Sequence, residues 1–270
     1  MTIDPTSPSQ QASAQQVLVT RRGHVCEVRL NRPEKRNALT SDMYAALVEA
    51  FTEAEADDDI RVLLLSGEGA CFTGGNDLKD FLSAPAVVAS DHVIARFLRA
   101  LSGFGKILIA AVHGPTVGIG ATLLLHCDLV IAAARSTRLI MPFVQLGLVP
   151  EAASTLLLPR LIGHQRAAEV FLLGEPLDAE AAKACLLVNR VVDDEVLMEQ
   201  ARALADAAAR QPPGAVRATK RLLRSGESAE IAARIQEELN VFSARLRSPE
   251  FAAAAQAFFD KSSGRSAGGT

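Results

Sequence analysis

The sequence lacks any close pairing of cysteines: Cys26, Cys71, Cys127 and Cys185 lie far apart, outside any CxxC pair and away from histidines at metal-ligand spacing. Such usage offers neither a disulfide framework nor a metal-ligand set, and it fits free thiols in a reducing cytosol. Long apolar runs are missing too. The longest, Ile107 to Val112 and Leu129 to Ala134, have the length of strands and fall far short of a bilayer span. Basic residues form no block, and a formal net charge of -3 gives no general attraction for nucleic acid. The polar residues 1–15 contain no apolar stretch flanked by basic ones. They resemble a loose tail and not a signal peptide, which leaves the cytoplasm as the expected location.

Several chemical signatures are absent as well. There is no P-loop lysine and no Gly-x-Ser-x-Gly nucleophile elbow. Gly118-Ile119-Gly120 begins like a dinucleotide fingerprint, but Leu123 stands where the pattern needs a third glycine or alanine.

What is present is a chain of 270 residues, 49% hydrophobic and 22% charged, long enough to bury a sizeable core. Alternation from Val17 to Leu30 predicts one or two half-buried strands, ended by Asn31-Arg32-Pro33. Ser41 is placed to cap a helix whose face carries Met43, Leu47, Ala50, Phe51 and Ala54, running to about Glu55. Short apolar strands follow at Val62 to Leu65, Ile107 to Val112 and Leu129 to Ala133, each leading into a glycine turn or a helix. This recurrence predicts an α/β fold with helices covering the strands. After about Ala201 the patterns are helical only. The expected organisation is a polar tail over 1–15, an α/β core over 16–200 and a helical region over 201–270. Val241, Phe242, Leu246, Phe251, Phe258 and Phe259 in that last region need a surface to pack on, either the core or another subunit.

Three segments after strands carry the candidate chemistry: Cys71 to Leu78, His113 to Gly120 and Leu146 to Glu151. Glycines ahead of a helix let backbone N–H groups approach an anion, so two such turns facing each other would bind the oxygen of a polarised carbonyl. Glu151, after Pro150, stands where an apolar helix begins and reads as either a first-turn acid or a proton carrier. Asp77 reads as an N-cap and Asp128 as a capping or structural acceptor. His126 and Cys127 read as core residues, and Arg217, Lys220, Arg221 and Arg224 as a solvated helical face.

Asn31-Arg32-Pro33-Glu34-Lys35-Arg36-Asn37-Ala38-Leu39, the Phe72 to Leu78 segment, Ala111 through Asp128 and Leu146 to Glu151 resemble, in order and spacing, motifs of the enoyl-CoA hydratase/isomerase (crotonase) superfamily. The resemblance implies a ββα spiral core with a C-terminal helical region, commonly assembled as trimers or dimers of trimers. It implies an acyl-CoA thioester as substrate, with coenzyme A part of that substrate and no separate cofactor or metal. The backbone N–H groups of Asn76 and Ile119 match the oxyanion donors. Lys35 and Arg36 match a loop that meets the nucleotide end of coenzyme A, and Phe258 and Lys261 match a C-terminal contact. Gly75, Asp77, Gly118 and Phe143 are further candidates along the acyl-CoA site.

Hydratases of this superfamily use two glutamates, and the matching positions here are Thr122 and Phe143, which cannot serve. Glu151 instead resembles the single acid of Δ3,Δ2-enoyl-CoA isomerases. The resemblance therefore implies an isomerase of fatty acid metabolism with Glu151 as proton carrier. Hydration or another crotonase-type acyl-CoA conversion is the alternative within the superfamily, and a non-catalytic acyl-CoA-binding protein is the alternative outside enzymes.

Overall fold

A computed structural model describes residues 16–83 and 92–266, with side chains left undescribed at 81–83, 258, 259 and 261–266. The tail over 1–15 lies outside the described residues. In chain order the elements begin with β1 Val17–Arg22, β2 Val25–Leu30, α1 Ser41–Ala56, β3 Val62–Gly67, α2 Leu78–Ser83 and α3 Val93–Gly103. Then come β4 Ile107–Val112, β5 Pro115–Val117, α4 Ile119–Thr122, β6 Leu129–Ala133 and β7 Arg138–Ile140. The rest are α5 Ser154–Ile162, α6 His164–Ala168, β8 Leu177–Asp178, α7 Ala179–Ala184, β9 Arg190–Val192, α8 Leu197–Ala209, α9 Pro213–Arg224, α10 Ser228–Arg245 and α11 Pro249–Ser266.

The large sheet has the order β1-β2-β3-β4-β6-β9, antiparallel at β1/β2 and parallel beyond. A smaller sheet, β5-β7-β8, runs beside it. Isolated parallel bridges, Leu39 with Asn76 and Thr73 with Thr116, extend the small sheet's pattern back toward the N-terminus. Each long strand is thus followed by a short extended segment in the second layer, and the chain turns in a ββα spiral.

Side-chain alternation explains why the long strands read as continuous apolar runs. In β3, Leu63 and Leu65 enter the main core, while Val62 and Leu64 point to the opposite face with Ile109, Ala111, Ile131 and Ala133. Helix α8 covers that opposite face with Leu197, Ala201, Leu204 and Ala205. A strand buried on both faces has no polar positions to alternate. Phe242 and Phe251 of the C-terminal helices are buried in the main core, whereas Val241 stays exposed. No helix among the described residues is long and apolar enough to cross a membrane.

Two local expectations are corrected. The cap of α1 is Thr40, whose hydroxyl accepts from the Met43 N–H at 3.2 Å, so the helix begins one residue earlier than a Ser41 cap implies. The basic face of α9 is not uniformly solvated. Lys220 is buried and donates to the Asp128 carboxylate at 2.6 Å and to the Lys106 carbonyl at 2.5 Å. Arg224 donates to the carbonyls of His126 and Ser102, and Arg217 pairs with Glu55. These cations rivet α9 to the core through groups far away in sequence. Lys220→Met is expected to destabilise the protein by about 2–3 kcal/mol, read from urea unfolding. That is below the usual cost of breaking a fully buried pair because Asp128 keeps 24% of its side chain exposed. An unchanged midpoint would mean that the pair contributes nothing net.

Candidate active site

Two glycine turns meet between the sheets. In the first, Gly75 has φ +88, and a Cβ there would sit 3.0 Å from the Val117 carbonyl oxygen of the second turn. The strand-like segments before the turns are joined, since the Val117 N–H donates to the Thr73 carbonyl at 2.9 Å. Gly118, with φ +56, leads directly into α4 and donates to the Ile140 carbonyl at 2.8 Å. Only glycine tolerates such backbone approach and such φ values at no steric cost.

The residues following these glycines are Asn76 and Ile119. Among the described residues, no backbone carbonyl takes up either N–H, whereas the flanking Gly75, Asp77 and Gly118 donate. An unclaimed peptide N–H beside a tight glycine turn is a donor available to a ligand. The side chain of Asn76 is held from outside the turn, because the buried Tyr44 of α1 donates its hydroxyl to Asn76 Oδ1 at 2.6 Å. Tyr44 is the only tyrosine in the chain.

Glu151 is buried, with 5% exposure. Among the described residues its hydrogen-bonding side chain is Thr122, whose hydroxyl donates to Glu151 Oε1 at 2.6 Å. Thr122 ends the short helix that Ile119 begins, so the hydroxyl that holds the carboxylate stands one helical turn from Ile119. Burial pushes the Glu151 carboxyl up to about 8, the Thr122 hydrogen bond opposes that rise, and the negative charge of Glu238 adds to it. Phe143, Leu148 and Leu156 are buried, while Val149 is partly buried.

Glu151 does not open a helix. Ala152 and Ala153 take left-handed φ values of 63 and 55, and α5 starts only at Ser154. The first-turn role belongs instead to Glu238 of α10, which sequence reasoning missed. Its Oε2 accepts from the Ala153 N–H at 2.6 Å, and its Oε1 accepts from the Thr155 N–H at 2.9 Å and the Thr155 hydroxyl at 2.6 Å.

The other candidates are distributed as follows. Lys35 and Arg36 have exposed side chains in a short 3-10 turn, and the Arg36 carbonyl accepts from Gly74 N–H at 2.7 Å, tying that loop to the first glycine turn. Asp77 Oδ1 accepts from the Lys79 and Asp80 N–H groups while Oδ2 pairs with Arg32 at 2.7 Å, so the cap reading is met and both oxygens are engaged. Asp128 serves structurally, accepting from the Leu108 N–H as well as Lys220. Buried His126 donates its Nε2–H to the Ala152 carbonyl oxygen at 2.7 Å, and burial lowers its pKa to about 4. Burial raises the Cys127 thiol to about 12, which removes it as a nucleophile at neutral pH. Phe258 and Lys261 fall in α11, but their side chains lie outside the described residues. No group of three or more His, Cys, Asp or Glu among the described residues is arranged to hold a metal.

Two glycine turns, each followed by an unclaimed peptide N–H, and the buried Glu151 carboxylate held by Thr122 make up the candidate site. Residues 20–265 match the family model for enoyl-CoA hydratase/isomerase, and the chain belongs to that family. It is 38% identical to 1,2-epoxyphenylacetyl-CoA isomerase of Escherichia coli over 88% of this chain and 93% of the relative. It is 35% identical to enoyl-CoA delta isomerase 2 of Rattus norvegicus over 87% of this chain and 61% of that longer protein. The solved structure of Pseudomonas aeruginosa OdaA superposes with a TM-score of 0.88 at 46% identity, covering 90% of this chain and 98% of the other.

Proposed function

We propose that the protein is a Δ3,Δ2-enoyl-CoA isomerase. The backbone N–H groups of Asn76 and Ile119 hold the thioester oxygen, and Glu151 removes a proton from C2. The electrons of the broken C–H bond move into a dienolate whose negative charge rests on that oxygen. Glu151 then returns the proton to C4, so that the double bond between C3 and C4 ends between C2 and C3. The shift is redox-neutral and adds no water, and coenzyme A enters only as part of the substrate.

The observation that carries this reading is the Thr122–Glu151 hydrogen bond. Where the resemblance places a hydratase glutamate, a neutral hydroxyl supports the buried Glu151, and the second such position is the buried Phe143. Glu238, the carboxylate whose charge acts on Glu151, has its oxygens occupied by three donors. A carboxyl lifted toward neutrality is also suited to taking and returning a proton near pH 7.

The 38% relative from Escherichia coli supports a second reading, in which the same donors and acid act on an epoxide carried by an arylacetyl-CoA. Hydration ranks below both because Thr122 and Phe143 stand at the positions that the resemblance gives to the two hydratase glutamates. Supplying 3-hexenoyl-CoA, 2-hexenoyl-CoA and an epoxidised phenylacetyl-CoA separately, and identifying each product by mass, decides among them. Formation of 2-hexenoyl-CoA from the first supports the isomerase. A 3-hydroxyacyl-CoA from the second, or a rearranged product from the third with no turnover of the first, would replace it.

Tyr44 gives this reading a further test. Tyr44→Phe removes the donor to Asn76 Oδ1, and the loss of a hydrogen bond worth about 1 kcal/mol corresponds to roughly a fivefold fall in kcat/KM for 3-hexenoyl-CoA. Unchanged kinetics would show that the first oxyanion turn holds its shape without the phenol.

A further inference from the structure

The turn that carries Glu151 is unusual in what it rests on. Two successive alanines sit in the left-handed region, which a Cβ disfavours. Such a conformation persists only when surrounding contacts over-determine it. Three contacts do so. The Ala152 carbonyl meets His126 Nε2, the Ala153 N–H meets Glu238 Oε2, and Thr155 closes on Glu238 Oε1 through both its N–H and its hydroxyl. Arg234 donates to the same Thr155 hydroxyl at 3.2 Å. Glu238 is 4% exposed, on the apolar stripe of α10 with Ile235, Leu239 and Phe242. A carboxylate on a helix's buried stripe is costly unless its hydrogen bonds serve something.

We propose that Glu238 is a positioning residue for the reaction: from the C-terminal helical region it fixes the Ala152–Ala153 turn and so holds the Glu151 carboxylate against Thr122. The proposal rests on the reading of Glu151 as proton carrier. It joins α10 to the chemistry of the spiral core, 85 residues away in sequence. The titratable and charged groups facing Glu151 are Glu238 from α10 and Tyr44 from α1, with His126 on the neighbouring carbonyl and Arg234 beside Glu238. Glu238 therefore acts on Glu151 in two ways, through the backbone it anchors and through its like charge.

The test is Glu238→Gln in the full chain, assayed by turnover of 3-hexenoyl-CoA and by exchange of the C2 hydrogens of butyryl-CoA in D2O. Glutamine keeps the shape but sets an NH2 group against one of the three donors. The expected result is a fall of about tenfold or more in both rates with KM within about twofold, together with an ascending limb of the kcat–pH profile moved to lower pH. A role confined to stability would lower the melting temperature and leave the limb in place, and that outcome, or unchanged rates, overturns the proposal. If Glu238→Gln does not fold, Thr155→Val decides. A fall of about threefold or more in kcat, restored by Thr155→Ser, supports the proposal, and an unchanged kcat overturns it. Glu151→Gln, run in parallel, separates the two claims. Activity surviving that change removes the reading of Glu151 itself, whereas its loss alongside a fully active Glu238→Gln removes only the role of Glu238.

Discussion

Replacing Glu151 with glutamine is expected to reduce turnover of 3-enoyl-CoA by about 10²- to 10⁴-fold, the usual contribution of a general acid–base group. Acyl-CoA binding should change little. Glutamine is nearly isosteric, and its amide oxygen still accepts from the Thr122 hydroxyl that now donates to Glu151 Oε1 at 2.6 Å. The pocket wall and both backbone donors at Asn76 and Ile119 remain, so any acyl-CoA that binds to the native site by its thioester oxygen should still bind. What is lost, on the proposed mechanism, is the group that shuttles a proton between C2 and C4. The expected signature is therefore a fall in kcat with KM near its native value, the pattern of an interaction used only in the transition state. C2 hydrogen exchange in D2O should fall in parallel, because it requires the same proton transfer without the final rearrangement. Should exchange persist while isomerisation stops, a different base removes the C2 proton and Glu151 serves only the return to C4.

The parts of the fold that were legible are those set by local pattern. Ile107–Val112 and Leu129–Ala133 appear at their expected bounds because strands buried on both faces read as short continuous apolar runs. The glycine turns at Gly75 and Gly118 were legible for a similar reason, since positive φ beside a neighbouring backbone demands glycine. The misreadings share a different cause. Lys220 looks like one more cation on a polar helix until Asp128, 92 residues earlier in the chain, is seen to meet it. Glu151 looks like a first-turn acid because a following apolar segment does become a helix. Its left-handed successors are stabilised by Glu238 and His126, contacts that no local pattern encodes. A signal for Glu238 was nonetheless present. It interrupts the spacing of Ile235, Leu239 and Phe242 on an otherwise apolar stripe, and a charge in that position calls for a partner. The lone tyrosine on the buried face of α1 was a similar clue, because a buried phenol needs an acceptor.

The same carboxylate should leave a mark on stability. Its pKa in the folded protein, about 8, lies above its ordinary value of 4.5 because burial penalises the charged form. The sign follows from proton binding: between those two values the folded state holds a proton that the unfolded chain has released, so stability falls as pH rises. The favourable contribution is complete below about pH 4.5 and is lost as pH passes through about 8. Buried His126 works in the opposite sense. Its pKa is lowered from 6.5 to about 4, so the unfolded chain takes up the extra proton and stability falls as pH drops through that interval. The two effects oppose each other below pH 6.5, and Glu151 acts without that opposition from there to about 8. Subtracting the unfolding free energy of Glu151→Gln from that of the native protein cancels the histidine. The difference should slope steadily against the native protein from pH 5 to 8, by roughly 3–5 kcal/mol in all, and flatten above that range. Urea unfolding at a series of pH values measures it directly, and a flat difference would mean that Glu151 titrates in the folded protein much as it does in water. A slope of the expected sign would tie stability to chemistry, because the burial that makes Glu151 expensive to ionise is also what gives it a proton affinity useful near neutral pH.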